Sequence, residues 1–287
     1  MNESLSRKTK ENLTGTLCVF LASFFFSIGG LCVKVIPWSP LAINGARNLL
    51  ASVVTGLFLV AIRHRLRINR SVIIGAIATM GTTTLFTVAN KLTTAANAIV
   101  LQFTAPVFVI LFTALFFHVK PKRSDILTCL AVFLGVCIFF VDGIQAGNTL
   151  GNIIAILSGV CYAGVFMMNM AKEADPLSSC FLAQLVSGIL YSPLCLRESD
   201  FSKTVIITVL ILGIIQVGIA YILLSIGIVR TKAVTASLIS GLEPVMNPIW
   251  VALFYGERIS LPAIIGAVIV VGAILIYNVR TAALESV

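Results

Sequence analysis

The stretch VIITVLILGIIQVGIAYILLSIGIV, residues 205–229, runs for 25 positions without a charged side chain. An α-helix rises about 1.5 Å per residue, so about 20 apolar residues cross the hydrocarbon core of a bilayer, which is about 30 Å thick. An apolar run of this length exceeds what a buried strand or an ordinary core helix of a soluble domain needs. The stretch therefore predicts a membrane-spanning helix.

Nine further apolar stretches occupy most of the remaining chain. The ten predicted spans are residues 13–33, 41–62, 72–89, 95–117, 126–141, 150–170, 177–196, 205–229, 233–255 and 261–279. Hydrophobic residues make up 59% of the 287 residues and charged residues 11%, whereas about a quarter of a soluble domain is charged. The chain is therefore predicted to be an all-α, multi-pass integral protein of the plasma membrane with ten transmembrane helices.

The distribution of basic residues predicts the orientation, because Lys and Arg accumulate in cytoplasmic loops. With the N-terminus inside, 14 of the 20 basic residues fall in inner segments and five in outer loops, and Arg47 lies within a span. Both termini are therefore predicted to be cytoplasmic, as short tails at residues 1–12 and 280–287. The inner loops account for the net charge of +9 without a nucleic-acid partner.

The chain contains an internal repeat. Pro40-Leu41-Ala42-Ile43 returns as Pro176-Leu177-Ser178-Ser179, about 136 residues later. Further on, Ala105-Pro106-Val107 returns as Glu243-Pro244-Val245. The second predicted helix therefore resembles the seventh, and the fourth resembles the ninth.

The two predicted repeats, residues 13–142 and 149–279, hold five spans each. Because five is odd, the second repeat must enter the membrane in the opposite orientation to the first. Inverted repeats of this kind are typical of secondary transporters, which place the substrate site near the midplane between the two halves.

Two ionisable side chains lie deep inside predicted spans, where a charge costs several kcal/mol. Arg47 lies about 9 Å into the second span and is predicted to anchor a carboxylate or another anion, because its planar fork matches such groups. The alternative is a structural ion pair or a tie to backbone carbonyls. Glu243 lies near the midplane in the ninth span and is a candidate for proton coupling or substrate binding. The alternative is that Glu243 neutralises Arg47, and the similar depths predict an ion pair between the two in the empty protein.

Polar residues of the same spans complete the predicted site. The predicted substrate-binding residues are Arg47, Asn44, Gln102, Tyr162 and Asn247. Further candidates for the cavity lining are Asn48, Asn97, Asn169, Gln184, Gln216 and Tyr221. For each, the alternative is a hydrogen bond between helices. Pro106 and Pro244 each remove a backbone donor within a span, which a membrane tolerates where the helix faces protein or a water-filled cavity, and both are predicted to be helix breaks or hinges.

The sequence does not favour an enzyme. His64 and His118 lie in or beside basic loops without a cluster of carboxylates or cysteines, and the sequence contains neither a CxxC pair nor a P-loop. No catalytic residue, no metal site and no cofactor is therefore predicted.

The ordered set of motifs resembles the drug/metabolite transporter superfamily, in its EamA-type branch. The resemblance is carried by Ser27-Ile28-Gly29-Gly30-Leu31, Ile36-Pro37-Trp38-Ser39-Pro40, the run from Gly151 to Gly159, Leu242-Glu243-Pro244-Val245 and Leu253-Phe254-Tyr255-Gly256-Glu257-Arg258. It covers nearly the whole chain. It implies a transporter of small metabolites, often amino acids or related compounds, driven by ion or substrate exchange.

The leading hypothesis is a secondary active transporter that moves a small polar metabolite, an amino acid or a related compound, across the plasma membrane by alternating access, with export as the expected direction. Its partners are a small-molecule substrate, the lipid bilayer and protons as a candidate coupling ion. One alternative is an exporter of lipophilic cations or drugs, which Arg47 would repel unless Glu243 neutralises it. The other is a non-transporting receptor or assembly subunit. The sequence makes no prediction of oligomeric state.

Overall fold

The computed structural model describes residues 2–93, 95–139, 141, 148–246 and 260–285, and all regular structure in these residues is helical. The helices are α1 (Asn2–Phe26), α2 (Gly29–Val35), α3 (Pro40–Ala61), α4 (Arg70–Leu92), α5 (Ala95–Gln102), α6 (Ala105–Phe117), α7 (Arg123–Phe139), α8 (Thr149–Met167), α9 (Pro176–Tyr191), α10 (Lys203–Leu210), α11 (Ala220–Ile228), α12 (Ala233–Ile239), α13 (242–246) and α14 (Leu261–Glu285). Short 3-10 segments follow α8 and α9, and a π-helical segment, Ile211–Ile219, joins α10 to α11. The predicted all-α class is confirmed for this part of the chain.

Seven helical segments of the described structure are long and apolar enough to cross a bilayer. They are Asn12–Val35, Pro40–Ala61, Arg70–Leu92, Asn97–Phe117, Thr149–Met170, Pro176–Arg197 and Lys203–Ile228. Two shorter apolar helices, Ala233–Met246 and Ile264–Tyr277, lie within the predicted ninth and tenth spans, and α7 covers most of the predicted fifth. The chain is therefore a multi-pass membrane protein, while the count of ten spans stays a prediction.

The outward faces of the helices carry the apolar side chains that a lipid environment favours. On α3, Val53, Leu57 and Val60 are exposed, and on α7 so are Leu127 and Leu134. A water-soluble domain rarely shows contiguous apolar surface on this scale. The polar side chains of α3 are buried instead, among them Asn44, Arg47 and Asn48, so this helix turns its polar chemistry toward the centre of the protein.

The paired helices of the two repeats begin in the same way. Ser39 precedes Pro40 at the start of α3, and Asp175 precedes Pro176 at the start of α9. Proline suits the first turn of a helix because its missing N–H would have no partner there. The Asp175 side chain also accepts a hydrogen bond from the backbone N–H of Ser178, 3.2 Å away, and so caps α9.

Four predicted spans are irregular rather than continuous α-helices. The chain leaves the helix at residues 27–28 between α1 and α2, at 103–104 between α5 and α6, and at 240–241 between α12 and α13. The eighth span contains the π-helical segment. Pro106 is the second residue of α6 and Pro244 the third of α13, so both prolines stand just after a break, in a first helical turn, and not in the middle of a regular helix.

Helix packing follows the repeat. The helix α3 packs along α9, and α7 packs along α14; α4 packs along α8, and α1 along α11. In the repeat, α3 corresponds to α9, α7 to α14, α4 to α11 and α1 to α8. The α3–α9 and α7–α14 contacts therefore each join a helix to its own counterpart. The α4–α8 contact has the α1–α11 contact as its equivalent. This is the pattern of contacts that the predicted inverted repeats require.

Glycines allow the central α3–α9 pair to approach closely. A Cβ atom on Gly45 of α3 would collide with the backbone of Tyr191 and Ser192. A Cβ on Gly188 of α9 would lie 2.8 Å from the Cα of Leu49. Small residues at helix contacts are the usual means of close packing in membranes, where the hydrophobic effect does not drive helices together.

Candidate functional site

A small central cavity, about 30 Å³ in volume in this conformation, lies between helices of both repeats. Its wall is formed by Phe26, Arg47, Thr82, Thr83, Phe86, Gln102, Tyr162, Gln216, Val217, Tyr221 and Glu243. Four of the predicted site residues, Arg47, Gln102, Tyr162 and Glu243, are thus brought to one place. Of the other two, Asn44 is absent from the cavity wall, and Asn247 lies outside the described residues.

The irregular points of the four broken spans meet at this cavity. Phe26 ends α1 and Gln102 ends α5, each directly before a break. Glu243 follows the break before α13, and Gln216 lies in the π-helical segment. Non-helical backbone at membrane depth is tolerated only where protein or a polar cavity surrounds it, and broken helices form the substrate sites of many transporters. The central cavity therefore accounts both for the helix breaks and for the polar side chains beside them.

Arg47 is 1% exposed and is held on α4. Its Nη2 donates to the carbonyl oxygen of Thr83 at 2.8 Å and to Oγ1 of Thr87 at 2.6 Å, and both Nε and Nη2 donate to Oδ1 of Asn44 at 3.2 and 3.1 Å. Among the described residues, Nη1 has no hydrogen-bond partner, although Arg47 lines the cavity. Two N–H donors of a guanidinium are therefore available to a ligand.

Asn44 lies behind Arg47 and is fully buried, outside the cavity wall. Besides the arginine, its Oδ1 accepts from Nδ2 of Asn48 at 2.9 Å, while its own Nδ2 donates to Oγ1 of Thr84 at 2.9 Å. The structure thus places Asn44 as the residue that orients the guanidinium, not in contact with the cavity. The i, i+3 spacing of Asn44 and Arg47 on one helix face is the sequence signal for this role.

Glu243 contacts Tyr162 rather than Arg47. The Tyr162 hydroxyl donates to Oε2 of Glu243 at 3.4 Å. Between described residues, the ion-pair geometry occurs at His64 and Asp175, and Arg47 and Glu243 do not form a pair. The predicted Arg47–Glu243 ion pair is therefore wrong for this conformation, because the guanidinium is bound to α4 and Asn44 instead.

The two glutamines of the cavity differ in how they are held. Gln102 donates from Nε2 to the Ser158 hydroxyl at 2.7 Å, and Ser158 donates in turn to the Thr82 carbonyl at 3.1 Å. Gln216 is 7% exposed, and its Oε1 has no hydrogen-bond partner in the described structure. A buried amide oxygen without a partner is costly, so this acceptor is well suited to receive an N–H or O–H donor from a ligand.

Sequence reasoning named Gln216 and Tyr221 as wider candidates without assigning them to the site, and both line the cavity. The signal was present, since they are the large polar side chains of the 25-residue apolar run that contains them. The other wider candidates, Asn48, Asn97, Asn169 and Gln184, lie outside the wall. Apolar and hydroxyl residues such as Phe26 and Thr83 were missed, because nothing in their local sequence separates a cavity face from a lipid or packing face.

This wall combines one guanidinium edge, one carboxyl group with a phenol, and one unpartnered amide oxygen. It suits a small molecule that carries both an anionic and a cationic or donor group. Within the described part of the chain, no group of three or more His, Cys, Asp or Glu side chains is placed to hold a metal ion.

A multi-pass helical bundle with broken helices around a central polar cavity belongs to the class of membrane transporters. The sequence pattern of the EamA-like transporter family matches residues 13–141 and, a second time, residues 149–279. The chain therefore belongs to the EamA-like transporter family, within the drug/metabolite transporter superfamily, as its motifs indicated.

Individual relatives agree with this assignment. The chain is 26% identical over 187 residues to an uncharacterized transporter of Archaeoglobus fulgidus, an alignment that covers 64% of this chain and 67% of that protein. A crystal structure described only as that of a protein superposes with a TM-score of 0.78 over 92% of this chain and 98% of the other. At 18% identity, that likeness shows the shared fold alone.

Proposed function

We propose that this transporter is a secondary active exporter of a small zwitterion, an amino acid or a related metabolite, and that it works by alternating access across the plasma membrane. The observation that carries the proposal is that Arg47 and Glu243 line one cavity without pairing with each other. Two opposite charges that do not satisfy each other are complementary to a ligand that carries both signs.

The carboxylate of the substrate is assigned to Arg47. The free Nη1 donors meet the cavity, while Asn44, Thr83 and Thr87 hold the rest of the guanidinium in place. A preoriented donor pair loses little freedom when it binds an anion, and hydrogen bonds between charged groups are stronger than neutral ones. A lipophilic cation would leave the Arg47 guanidinium without an anionic partner, which disfavours the drug-exporter alternative.

The ammonium group of the substrate is assigned to Glu243. The Tyr162 hydroxyl occupies one side of Oε2 and leaves the other carboxylate oxygen free for a donor. The orphan Oε1 of Gln216 offers a further acceptor in the same cavity. The rings of Phe26 and Tyr221, whose centroids are 4.9 Å apart in an edge-on arrangement, supply an apolar wall for the substrate side chain.

Alternating access is supported by the two family matches and by the exchange symmetry of the helix packing. We include in the proposal ten transmembrane helices, repeats at residues 13–142 and 149–279 in inverted orientation, and cytoplasmic tails at 1–12 and 280–287. A cavity on the pseudo-two-fold axis offers the same groups to either side when the repeats exchange conformations.

Proton coupling through Glu243 completes the proposal. One carboxyl group cannot hold a proton and a substrate ammonium at the same oxygen, so occupancy by one excludes the other, as an exchange mechanism requires. Replacing Glu243 with Gln keeps an acceptor for Tyr162 and should preserve the fold while making flux independent of pH. Flux in proteoliposomes across a series of pH values measures this. Normal turnover with unchanged pH dependence would remove Glu243 from the coupling step.

A series of matched compounds tests the substrate class. For several amino acids, the zwitterion, the corresponding amine without the carboxylate and the corresponding acid without the amine are compared by thermal shift and by flux in proteoliposomes. The zwitterion should stabilise the protein, by about 2.7 kcal/mol at one hundred times its dissociation constant, and should exchange across the membrane. The two truncated compounds should do neither.

The outcomes separate the alternatives. Stabilisation and flux with lipophilic amines alone would favour an exporter of cations. Ligand binding without flux under any ion gradient would indicate a non-transporting receptor. Loading the zwitterion on one side at a time, in vesicles of known protein orientation, establishes whether net transport is export.

A further inference from the structure

A second cavity, separate from the central one, lies where α3 and α11 end and α9 begins. Its volume is about 440 Å³, compared with about 30 Å³ at the centre. Its inner wall is apolar, with Phe58 from α3, Leu177 from α9 and Ile226 from α11. None of these residues takes part in the proposed substrate site.

Two arginines stand at this cavity without an acidic partner. Arg67 and Arg230 both line it and are both exposed, and neither forms an ion pair in the described structure. Arg230 uses Nη1 for the carbonyl of Ile226, 2.9 Å away, which holds the side chain against the end of α11. Neither arginine is therefore paired with a carboxylate of the described residues.

Asp175, the acidic residue in the described wall of this cavity, already accepts hydrogen bonds from the protein. Asp175 bonds through Oδ2 to Nε2 of His64 at 2.7 Å and to the Ser178 hydroxyl at 2.8 Å. It also caps the backbone N–H of Ser178. A carboxylate with three hydrogen bonds at the start of α9 has little capacity left for Arg67 or Arg230, so Asp175 leaves both arginines available to an anionic ligand.

In the proposed topology, this cavity lies at the cytoplasmic headgroup region of the membrane. Arg67 and Arg230 belong to the segments that the basic-residue distribution assigns to the cytoplasmic side. Ile62 and Val229, which also line the cavity, are 48% and 50% exposed and continue the lipid-facing surface. Basic pockets between transmembrane helices on the cytoplasmic side are suited to phosphate headgroups.

We propose that this cavity binds the phosphate of an anionic lipid from the cytoplasmic leaflet. Arg67 and Arg230 donate to the phosphate oxygens, and an acyl chain follows the apolar wall of Phe58, Leu177 and Ile226. The bound lipid contacts the end of α3 in the first repeat and the ends of α9 and α11 in the second. It therefore stabilises the arrangement of the two repeats in which this cavity exists.

Short-chain phosphatidylglycerol, titrated against the purified transporter in detergent, tests this site without any need for flux. The melting temperature should rise with saturation, while phosphatidylcholine of the same chain length should leave it unchanged. The variants Arg67→Gln and Arg230→Gln should each weaken the apparent affinity about fivefold, since one basic residue near an anionic lipid is worth about that factor. The matched control, Arg65→Gln, changes an exposed arginine of the same loop that does not line the cavity and should behave like the wild type.

Three results would overturn the assignment. Equal stabilisation by phosphatidylcholine would show that the acyl chain binds without recognition of the phosphate charge. An equal loss of affinity in Arg65→Gln would show diffuse surface attraction instead of a site. Saturation by inorganic phosphate alone, with no advantage for the lipid, would make this a site for a soluble anion. Because the readout is lipid binding, the result is independent of whether the substrate is a zwitterion.

Discussion

The two ends of the helical bundle are tied by equivalent parts of the repeat but by different chemistry. At the outer seam, defined by Trp38, Ser39, Glu198 and Asp200, the backbone N–H and the hydroxyl of Ser39 donate to Oε1 of Glu198 at 2.9 and 2.6 Å. The Trp38 indole donates to the Asp200 carbonyl at 2.7 Å. These contacts join the start of α3 to the segment after α9.

The inner seam, defined by His64, Asn69, Glu173 and Asp175, joins the start of α9 to the segment after α3. His64 and Asp175 meet at 2.7 Å, and Nδ2 of Asn69 donates to the carbonyl of Glu173 at 2.9 Å. The side chain of His64 is 26% exposed and that of Asp175 8%, whereas the Ser39–Glu198 contact is exposed. Names of inner and outer follow the proposed topology.

Each helix of the central pair is thus joined at its start to the loop that follows its partner. Ser39 and Asp175 both stand directly before the first proline of their helices, at equivalent positions of the repeat. Both seams are closed in this conformation. Under the proposed alternating access, one seam opens at a time, and the more buried inner seam is expected to resist opening more strongly.

The largest effect is expected at the cavity between the seams. Arg47→Gln removes a charge-assisted bond to the substrate carboxylate, which is worth about 1.5–3 kcal/mol, so the affinity for the zwitterion should fall about 10- to 100-fold. Because both seams open onto the same cavity, the loss should be equal from either side of the membrane. Binding and counterflow from each side measure it. The control Arg123→Gln alters an exposed arginine at the start of α7, and a loss from one side only would contradict a shared site.

Breaking the inner seam comes next in size. Asp175→Ala removes the bond to His64 and the cap of α9 together, and should lower the free energy of unfolding by about 1–3 kcal/mol. Asp175→Asn is the matched control, since its amide oxygen still accepts from the backbone of Ser178. Thermal melts in detergent report the difference. An alanine variant as stable as the wild type would show that the inner seam does not hold the bundle closed.

Breaking the outer seam should cost less. Glu198→Ala removes an exposed acceptor of Ser39 and is expected to cost about 0.5–1 kcal/mol. Trp38, whose ring lies 5.2 Å from that of Phe201, should become more hydrated and shift its fluorescence to the red. Emission is measured in a Trp250→Phe background.

Glu173→Ala is the matched control for this variant, because Glu173 contributes only its backbone carbonyl to the inner seam. It should leave the emission and the melting temperature unchanged. A red shift of the same size in both variants would mean that the indole reports general loosening of the bundle and not the opening of one end.

Reporter fusions perturb the protein least, and they determine on which side of the membrane each seam lies. Reporter fusions after Arg70, Lys122 and Arg280 should read cytoplasmic, and fusions after Pro37 and Asn148 should read external, with no change in stability. The reason is the excess of basic residues in the segments assigned to the inside. An external signal from the fusion after Arg280 would overturn the count of ten spans and exchange the names of the seams.

The class of the protein, its repeated crossing of the membrane and its family could all be predicted from the sequence. These are local properties. A membrane span can be recognised from about 20 consecutive apolar residues, and an internal repeat from a motif that occurs twice. Arg47, Gln102, Tyr162 and Glu243 were identified for the same reason, because a polar side chain inside an apolar run is costly wherever the run is placed.

The hydrogen-bond partners of those side chains depend on how the helices pack, so they are known from the tertiary structure and not from the sequence. Similar depths along two helices say nothing about their separation across the bundle, so the predicted bond between Arg47 and Glu243 did not form, and Asn44, Thr83 and Thr87 took the guanidinium instead. The same holds for the orphan oxygen of Gln216 and for the second cavity. Hydrogen bonding is satisfied by whichever groups the packed helices bring within about 3 Å, and that proximity is a property of the assembled bundle, not of any single span.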